Sequence, residues 1–393
     1  MSWKKVKLGD CCEITSSKRI FYSEYTDHGI PFYRSKEIIE RSQCQSISES
    51  LYITNQKYNE IKNKFGVPVA GDMLLTSVGT IGIPYIVKES DEFYFKDGNL
   101  TWFKNFTDKL CVQYLYYWVS SKEGTGVLNN TTIGSSQKAL TISALKNIEI
   151  TVPPIEAQRR IADILSAYDD LVENNHKQIK LLEEAAQRLY KEWFVDLHFP
   201  GYEHTKIVDG VPEGWKKERL INIADVQYGY AFDGSQFNSK KLGTPIIRIR
   251  NIPESQTEDY TTEVADPQYM VYNGDIVVGM DGEFHINSWA GDTAYLVQRT
   301  CRIKPLNADL NGFLLWAIHG PIKYFEKTVV GATVAHLGKK HIDTIQILVP
   351  SEKFYLPFKT IFDKRLLLMN ENKKLKEARE HLLPKLMNGE VKV

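Results

Sequence analysis

The amino-acid sequence predicts an α+β protein: two similar, mainly β domains joined by two long helices that pack as an antiparallel coiled coil with pseudo-two-fold symmetry. Three observations predict it. One series of landmarks occurs twice in the same order, about 200 residues apart. Within each copy, short runs rich in Val, Ile, Tyr and Phe are separated by Gly, Asn and Asp turns, as strands are. After each copy the apolar spacing becomes three-and-four, as on a helix. The expected division is 1–153, 154–200, 205–350 and 351–393.

The landmarks run as follows. A Trp followed by lysines and a Leu opens each copy, from Trp3 to Leu8 and from Trp215 to Leu220. A Pro-led strand pattern with arginine comes next, Pro31 to Lys36 and Pro245 to Asn251. Then a Gly-Asp turn launches an apolar strand, at Gly71 and Asp72 and again at Gly274 and Asp275, with a Gly-containing loop behind it. Each copy closes on a leucine-led segment, Leu140 to Pro153 and Leu337 to Pro350. Two copies are too few for a solenoid, which needs three or more.

Behind Pro153 and Pro154, the residues Ile161, Leu165, Tyr168, Val172, Asn175, Ile179, Leu182, Ala186, Leu189 and Trp193 keep an unbroken a/d spacing. Behind Pro350, Phe354, Ile361, Leu368, Leu375 and Leu382 recur every seven, and Phe358, Phe362 and Leu386 widen the stripe. Helices of roughly 35 to 40 residues, about 55 to 60 Å long, are expected. Residues 155–200 carry six basic and nine acidic side chains, whereas 351–393 carry ten and six. Opposite signs favour pairing of the two helices with each other. Asn175 and Asn372 lie near the two midpoints, so an antiparallel pair could join their amides and fix the register; the alternative is that they face solvent.

Composition narrows the function classes. With 49 basic and 49 acidic residues the chain is no polycation, and any nucleic-acid surface must be a local patch. The five cysteines (11, 12, 44, 111 and 301) form no CxxC pair, which suits a reducing cytoplasm better than a disulfide framework. No secretory h-region stands at the start, and the longest apolar stretch, Phe313 to Ile318, is too short for a bilayer. A phosphate-cradling GxxxxGK[ST] loop is absent, and so is the Asn/Asp-Pro-Pro-aromatic signature of an amino-methyltransferase. The one Pro-Pro, Pro153 and Pro154, reads as a helix start. Asp281 and Glu283 lack the spacing of a nuclease metal site.

The candidate DNA contacts come from the landmark loops. Ser77 and Thr80 offer hydroxyls suited to phosphate. In the same place of the second copy, Asp281, Glu283, His285 and Asn287 suit cytosine amino groups or adenine. Arg34, Lys36, Arg248, Arg250 and Asn251 sit in strand patterns with apolar alternates and are expected on one face, where arginine reads guanine and asparagine adenine. Gln137, Lys138, His336, Lys339 and Lys340 flank the last landmark. The competing reading for each is an ordinary solvated loop or sheet face. Trp3 and Trp215 are expected as core anchors.

Four segments carry a family resemblance: PPIEAQRRIADIL from Pro153, LYKEWFVD from Leu189, VPEGW from Val211 and LLPKLMNGE from Leu382. Together with the repeat, they resemble the specificity subunits of Type I restriction-modification systems over nearly the whole chain. The second helix lacks the Pro-Pro start of the first, which leaves its first residue open. The resemblance implies a cytoplasmic, non-catalytic subunit that reads a split duplex site. It also implies two methylation subunits, which bind S-adenosylmethionine and methylate adenine N6, and restriction subunits that use ATP and Mg. On this reading the helices set the unread spacer and dock the methylation subunits, with Asn175, Leu182, Leu189, Asn372, Leu375 and Leu382 pairing them.

Overall fold

The computed structural model describes residues 3–43, 47–134, 138–328 and 335–393. The chain forms two compact units: 1–173 with 375–393, and 174–374. Each unit takes one repeat and half of each long helix, so the units cut across the four-part division expected from sequence.

In the first unit, Lys4–Lys7 pairs antiparallel with Glu149–Val152, tying the two ends of the repeat together. One sheet has the order Glu13–Thr15, Leu100–Lys104, Met73–Thr76, Pro84–Ile86. A second has the order Tyr25–Thr26, Leu51–Ile53, Ile30–Tyr33, Tyr94–Phe95, and its last pair is parallel. Helices also pack beside the sheets. Val112–Ser120 has the aromatic and β-branched composition of a strand, yet it is a helix that buries Tyr114, Leu115, Tyr117, Trp118 and Val119. Packing against the Leu8, Met73 and Phe103 core overrides the local preference there.

The second unit repeats the plan. Lys216–Arg219 pairs with Gln346–Val349. The sheet Ala224–Tyr228, Thr300–Pro305, Ile276–Gly279, Ile286–Ser288 matches the first sheet strand for strand. The other matches too, with a parallel pair between Thr244–Ile247 and Ala294–Leu296 and one more edge strand, Met270–Val271. The Gly-Asp landmarks are turns in both units. Gly71 and Gly274 take φ of 89° and 91°, where a Cβ would be strained. The Asp72 carboxylate accepts from the Val69 amide and the Trp102 indole, and that of Asp275 from the Tyr272 amide. Burial pushes both carboxyls up.

The long helices span Ile155–Tyr190 and Glu352–Met387, 36 residues each, about 54 Å at 1.5 Å per residue. The first starts directly behind Pro154, where the buried Gln158 donates to the Pro153 and Lys109 carbonyls and accepts from the Cys111 amide. None of the seam residues of either helix is exposed. In the first unit the two helices meet through Asp169 and Arg379, and Leu165 and Leu386 share the core. In the second unit Asn175 meets Glu371, Glu183 meets Arg365 at 2.6 Å, and Tyr190 packs on Phe358. Partner numbers fall on one helix as they rise on the other, so in both units the helices run antiparallel. Leu182, Leu375 and Leu382 are half-buried, and Leu189 packs on the second unit's core.

The amide-to-amide pair is not formed. The Asn175 amide donates to the Glu371 carboxylate at 3.2 Å, one residue short of Asn372. The Asn372 amide is buried with neither its oxygen nor its nitrogen bonded. A carboxylate is the stronger acceptor, and it takes the donor that the neighbouring amide would have used.

Trp215 is a core anchor, packed on Phe194, Phe199 and Phe354 at centroid distances of 5.0, 4.7 and 5.2 Å. Trp3 is half-buried against Gly389, where an added Cβ would come within 3.0 Å of its ring. Cys11, Cys12, Cys111 and Cys301 are free thiols, and burial pushes Cys12 and Cys301 up to about 12. Cys44 lies outside the described residues.

His319, stacked on Trp316, is held at about 4 by burial first and by Lys323 and Arg365 second. Its folded value lies below the ordinary 6.5, so the unfolded chain binds the extra proton and stability falls with acidification between those values. From pH 7 to pH 5 the expected loss is about 2 kcal/mol. Denaturant unfolding at the two pH values checks it, and His319→Gln should lose this share of the slope.

Candidate nucleic-acid interface

In each unit the same three segments converge: the loop behind the Gly-Asp strand, the turn before the long central strand, and the start of the closing landmark. In the first unit the Ser77 amide donates to the Asn99 carbonyl at 2.8 Å, and Leu140 donates to the Ser77 carbonyl at 2.9 Å. Val78 bridges Ala139. In the second unit Met280 donates to the Arg299 carbonyl at 2.9 Å, Leu337 donates to the Met280 carbonyl at 2.7 Å, and Asp281 bridges His336. Landmarks some 60 residues apart are thus assembled by backbone hydrogen bonds, the interaction that fixes loops most directly.

The cluster separates the expected contacts into exposed and engaged groups. Thr80 and Lys138 are exposed on the first unit, and Glu283, His336, Lys339 and Lys340 on the second. Gln137 lies outside the described residues. Ser77 is 1% exposed, and its hydroxyl bonds Thr101 at 2.7 Å and the Leu75 carbonyl, so it is part of the core and closed to phosphate. Asn287 is likewise internal. Its amide nitrogen donates to the carbonyls of Ile252 and Pro253, and its oxygen accepts from Arg365 at 2.7 Å. His285 is half-buried, 3.7 Å from Glu283. Asp281 is only 16% exposed and lies 2.9 Å from Arg299 and 2.5 Å from His336, so it positions those two groups.

The arginine-bearing strand face is corrected. The strands end at Tyr33 and Ile247, and the polar residues begin helical turns, Ser35–Ser42 and Ile249–Asn251. Capping explains the switch. The Glu37 carboxylate accepts from the Arg34 amide at 2.6 Å, and the Asn251 side-chain oxygen accepts from the Arg248 amide at 2.8 Å. These bonds satisfy helix-start amides and end the ladder. Arg34 then folds over the fully buried Glu37, Nη2 to Oε1 at 2.5 Å. Arg248 lies over the Phe237 ring, and Arg250 grips Asp259 through two oxygens. Lys36 stays exposed near Glu49. Arg34→Ala would leave the Glu37 carboxylate buried without its cation; a loss of about 3 kcal/mol is expected on chemical unfolding.

Two cationic groups escaped the sequence reading, Arg19 and Arg299. Arg19 is 69% exposed and pairs with Asp97, in the turn that also supplies Asn99. Neither belongs to a landmark, so only their position in the assembled cluster marks them. Among the described residues no His, Cys, Asp and Glu group is arranged to hold a metal ion, and no helix is long and apolar enough to cross a membrane.

The model of a family described as the Type I restriction modification DNA specificity domain matches residues 1–184 and again 212–354. The chain belongs to that family. Each match contains one complete three-segment cluster. Among relatives of this specificity family, the MjaIX Type I restriction enzyme specificity subunit of Methanocaldococcus jannaschii is 26% identical over 417 residues, covering 100% of the chain and 94% of the relative. The EcoBI specificity subunit of Escherichia coli is 32% identical over 142 residues, covering 36% of the chain and 30% of the relative. A solved Type-I restriction-modification S subunit from M. genitalium shares the fold, with a TM-score of 0.59 at 16% identity over 98% of the chain and 96% of that structure.

Proposed function

We propose that this chain reads a two-part duplex DNA target, one half by each unit, and directs partner subunits to it. The observation that carries the reading is the double family match: two equivalent clusters stand on the same scaffold with different side chains at equivalent places, as readers of different half-sites require. Thr80 and Lys138 face outward on one, His336, Lys339 and Lys340 on the other.

The two antiparallel helices would act as a pseudo-symmetric coiled coil that holds the unread spacer and docks two methylation subunits. Those subunits would bind S-adenosylmethionine, flip the target adenine and methylate N6; restriction subunits would use ATP and Mg to cut. On this reading the chain supplies no catalytic group of its own. Its duties are orientation and discrimination, to which phosphate contacts add affinity and base contacts add sequence.

The test is the host's N6-methyladenine map with and without the chain. One split motif should vanish when the chain is removed, and the complex with methylation subunits should bind that duplex with steep salt dependence. An unchanged map, or metal-dependent cutting by the isolated chain, overturns the proposal.

A further inference from the structure

We propose that Arg299 reads a guanine in the half-site of the second unit, its guanidinium held in place by Asp281. The inference rests on the DNA-reading function and adds a residue that no landmark contains.

Arg299 lies in the turn between Ala294–Leu296 and Thr300–Pro305 with φ of 68°, a left-handed backbone that costs a side chain-bearing residue conformational energy. In the first unit the equivalent turn is one residue longer and takes its positive φ, 76°, at Gly98, one place before Asn99, the residue that the loop hydrogen bond matches with Arg299. A long cationic side chain in a place suited to glycine calls for a reason. Its side chain is 66% exposed, so burial does not supply one.

The surroundings do. Asp281 lies 2.9 Å from Nη1 of Arg299, and its other oxygen lies 2.5 Å from Nδ1 of His336. One largely covered carboxylate thus holds two exposed groups side by side. The backbone beneath is knitted together: Met280 donates to Arg299, Leu337 to Met280, and Gly282 to the Ala335 carbonyl at 3.1 Å. An exposed ion pair adds little stability. It does remove rotamer freedom from the arginine in advance, while donors on Nε and Nη2 stay available for a base edge. Guanine presents two acceptors, O6 and N7, in the spacing of that fork. Among the described residues of the first unit the equivalent bridge joins Val78 and Ala139, neither of which carries a charge.

The full chain is assembled with its methylation subunits and allowed to methylate host genomic DNA, and the modified motif is read by sequencing. Arg299→Gly is the central variant, since glycine adopts the left-handed turn freely and the fold is kept. One G·C position in the second half should lose preference by about ten-fold or more, with the first half and the spacer unchanged. Arg299→Lys keeps the charge without the fork and should fail to restore the preference. Asp281→Asn should weaken the same position. The proposal is overturned if Arg299→Gly leaves the second half intact. It is also overturned if methylation falls equally at every site with the motif unaltered, the mark of a phosphate contact. A wild-type complex without split-site preference would instead sink the DNA-reading function itself.

Discussion

A chain whose residues 1–150 are exchanged for the corresponding stretch of a relative acquires a new first half-site and keeps its second half-site and spacer. The expected effect is large. Each mismatched base pair costs about 1–3 kcal/mol, so several changed positions amount to a thousand-fold or greater switch in preference. The structure says why the exchange is tolerated. The core around Leu8, Phe103 and Trp118 and the smaller cores around Phe32 and Phe95 all lie in the first unit. Those around Phe313, Trp289 and Phe232 lie in the second. The donor must still present an apolar surface to Ile161, Leu165, Leu382 and Leu386, which complete the first core. Methylome sequencing of the hybrid checks the result; a change in both half-sites would refute two independent readers.

Adding one heptad to each long helix, after Glu173 and after Lys374, lengthens the unread spacer by up to about 3 base pairs, since seven residues rise about 10.5 Å and one base pair about 3.4 Å. Both half-sites stay as they are. The insertion points lie at the two places where the chain passes from one unit to the other, so each unit keeps its own packing. The heptad also preserves the apolar stripe, where an insertion of another length would rotate it away from its partner. Extending one helix alone breaks the antiparallel correspondence that joins Asp169 to Arg379 and Glu183 to Arg365. An unchanged spacer in the doubly extended chain would defeat the ruler.

Much of the architecture was legible because its signals are local and periodic. The seam from Ile161 to Trp193 needs only the spacing of apolar residues, and the structure leaves every one of its residues buried or half-buried. The Gly-Asp landmarks need only the conformational freedom of Gly71 and Gly274. The excess of acid on one helix and base on the other foreshadows the ion pairs at Asp169 and Glu183.

What sequence could not assign was the partner of each polar group. Arg34 and Arg248 continue an alternating strand pattern in the sequence, and only a capping side chain three residues on, Glu37 or Asn251, turns the chain into a helix there. Ser77 and Asn287 look like loop donors until the fold closes over them. Val112–Ser120 has the composition of a strand, and its packing makes it a helix. The sequence by itself determined the repeat, the long helices and their charge bias, because each is written in spacing and composition, and segments such as PPIEAQRRIADIL and LYKEWFVD carried the family resemblance. Tertiary structure alone decided which side chains are engaged inside and which stand free. Asp281, Arg299 and His336 lie far apart along the chain, and their meeting depends on hydrogen bonds that form only when three distant segments close on one another.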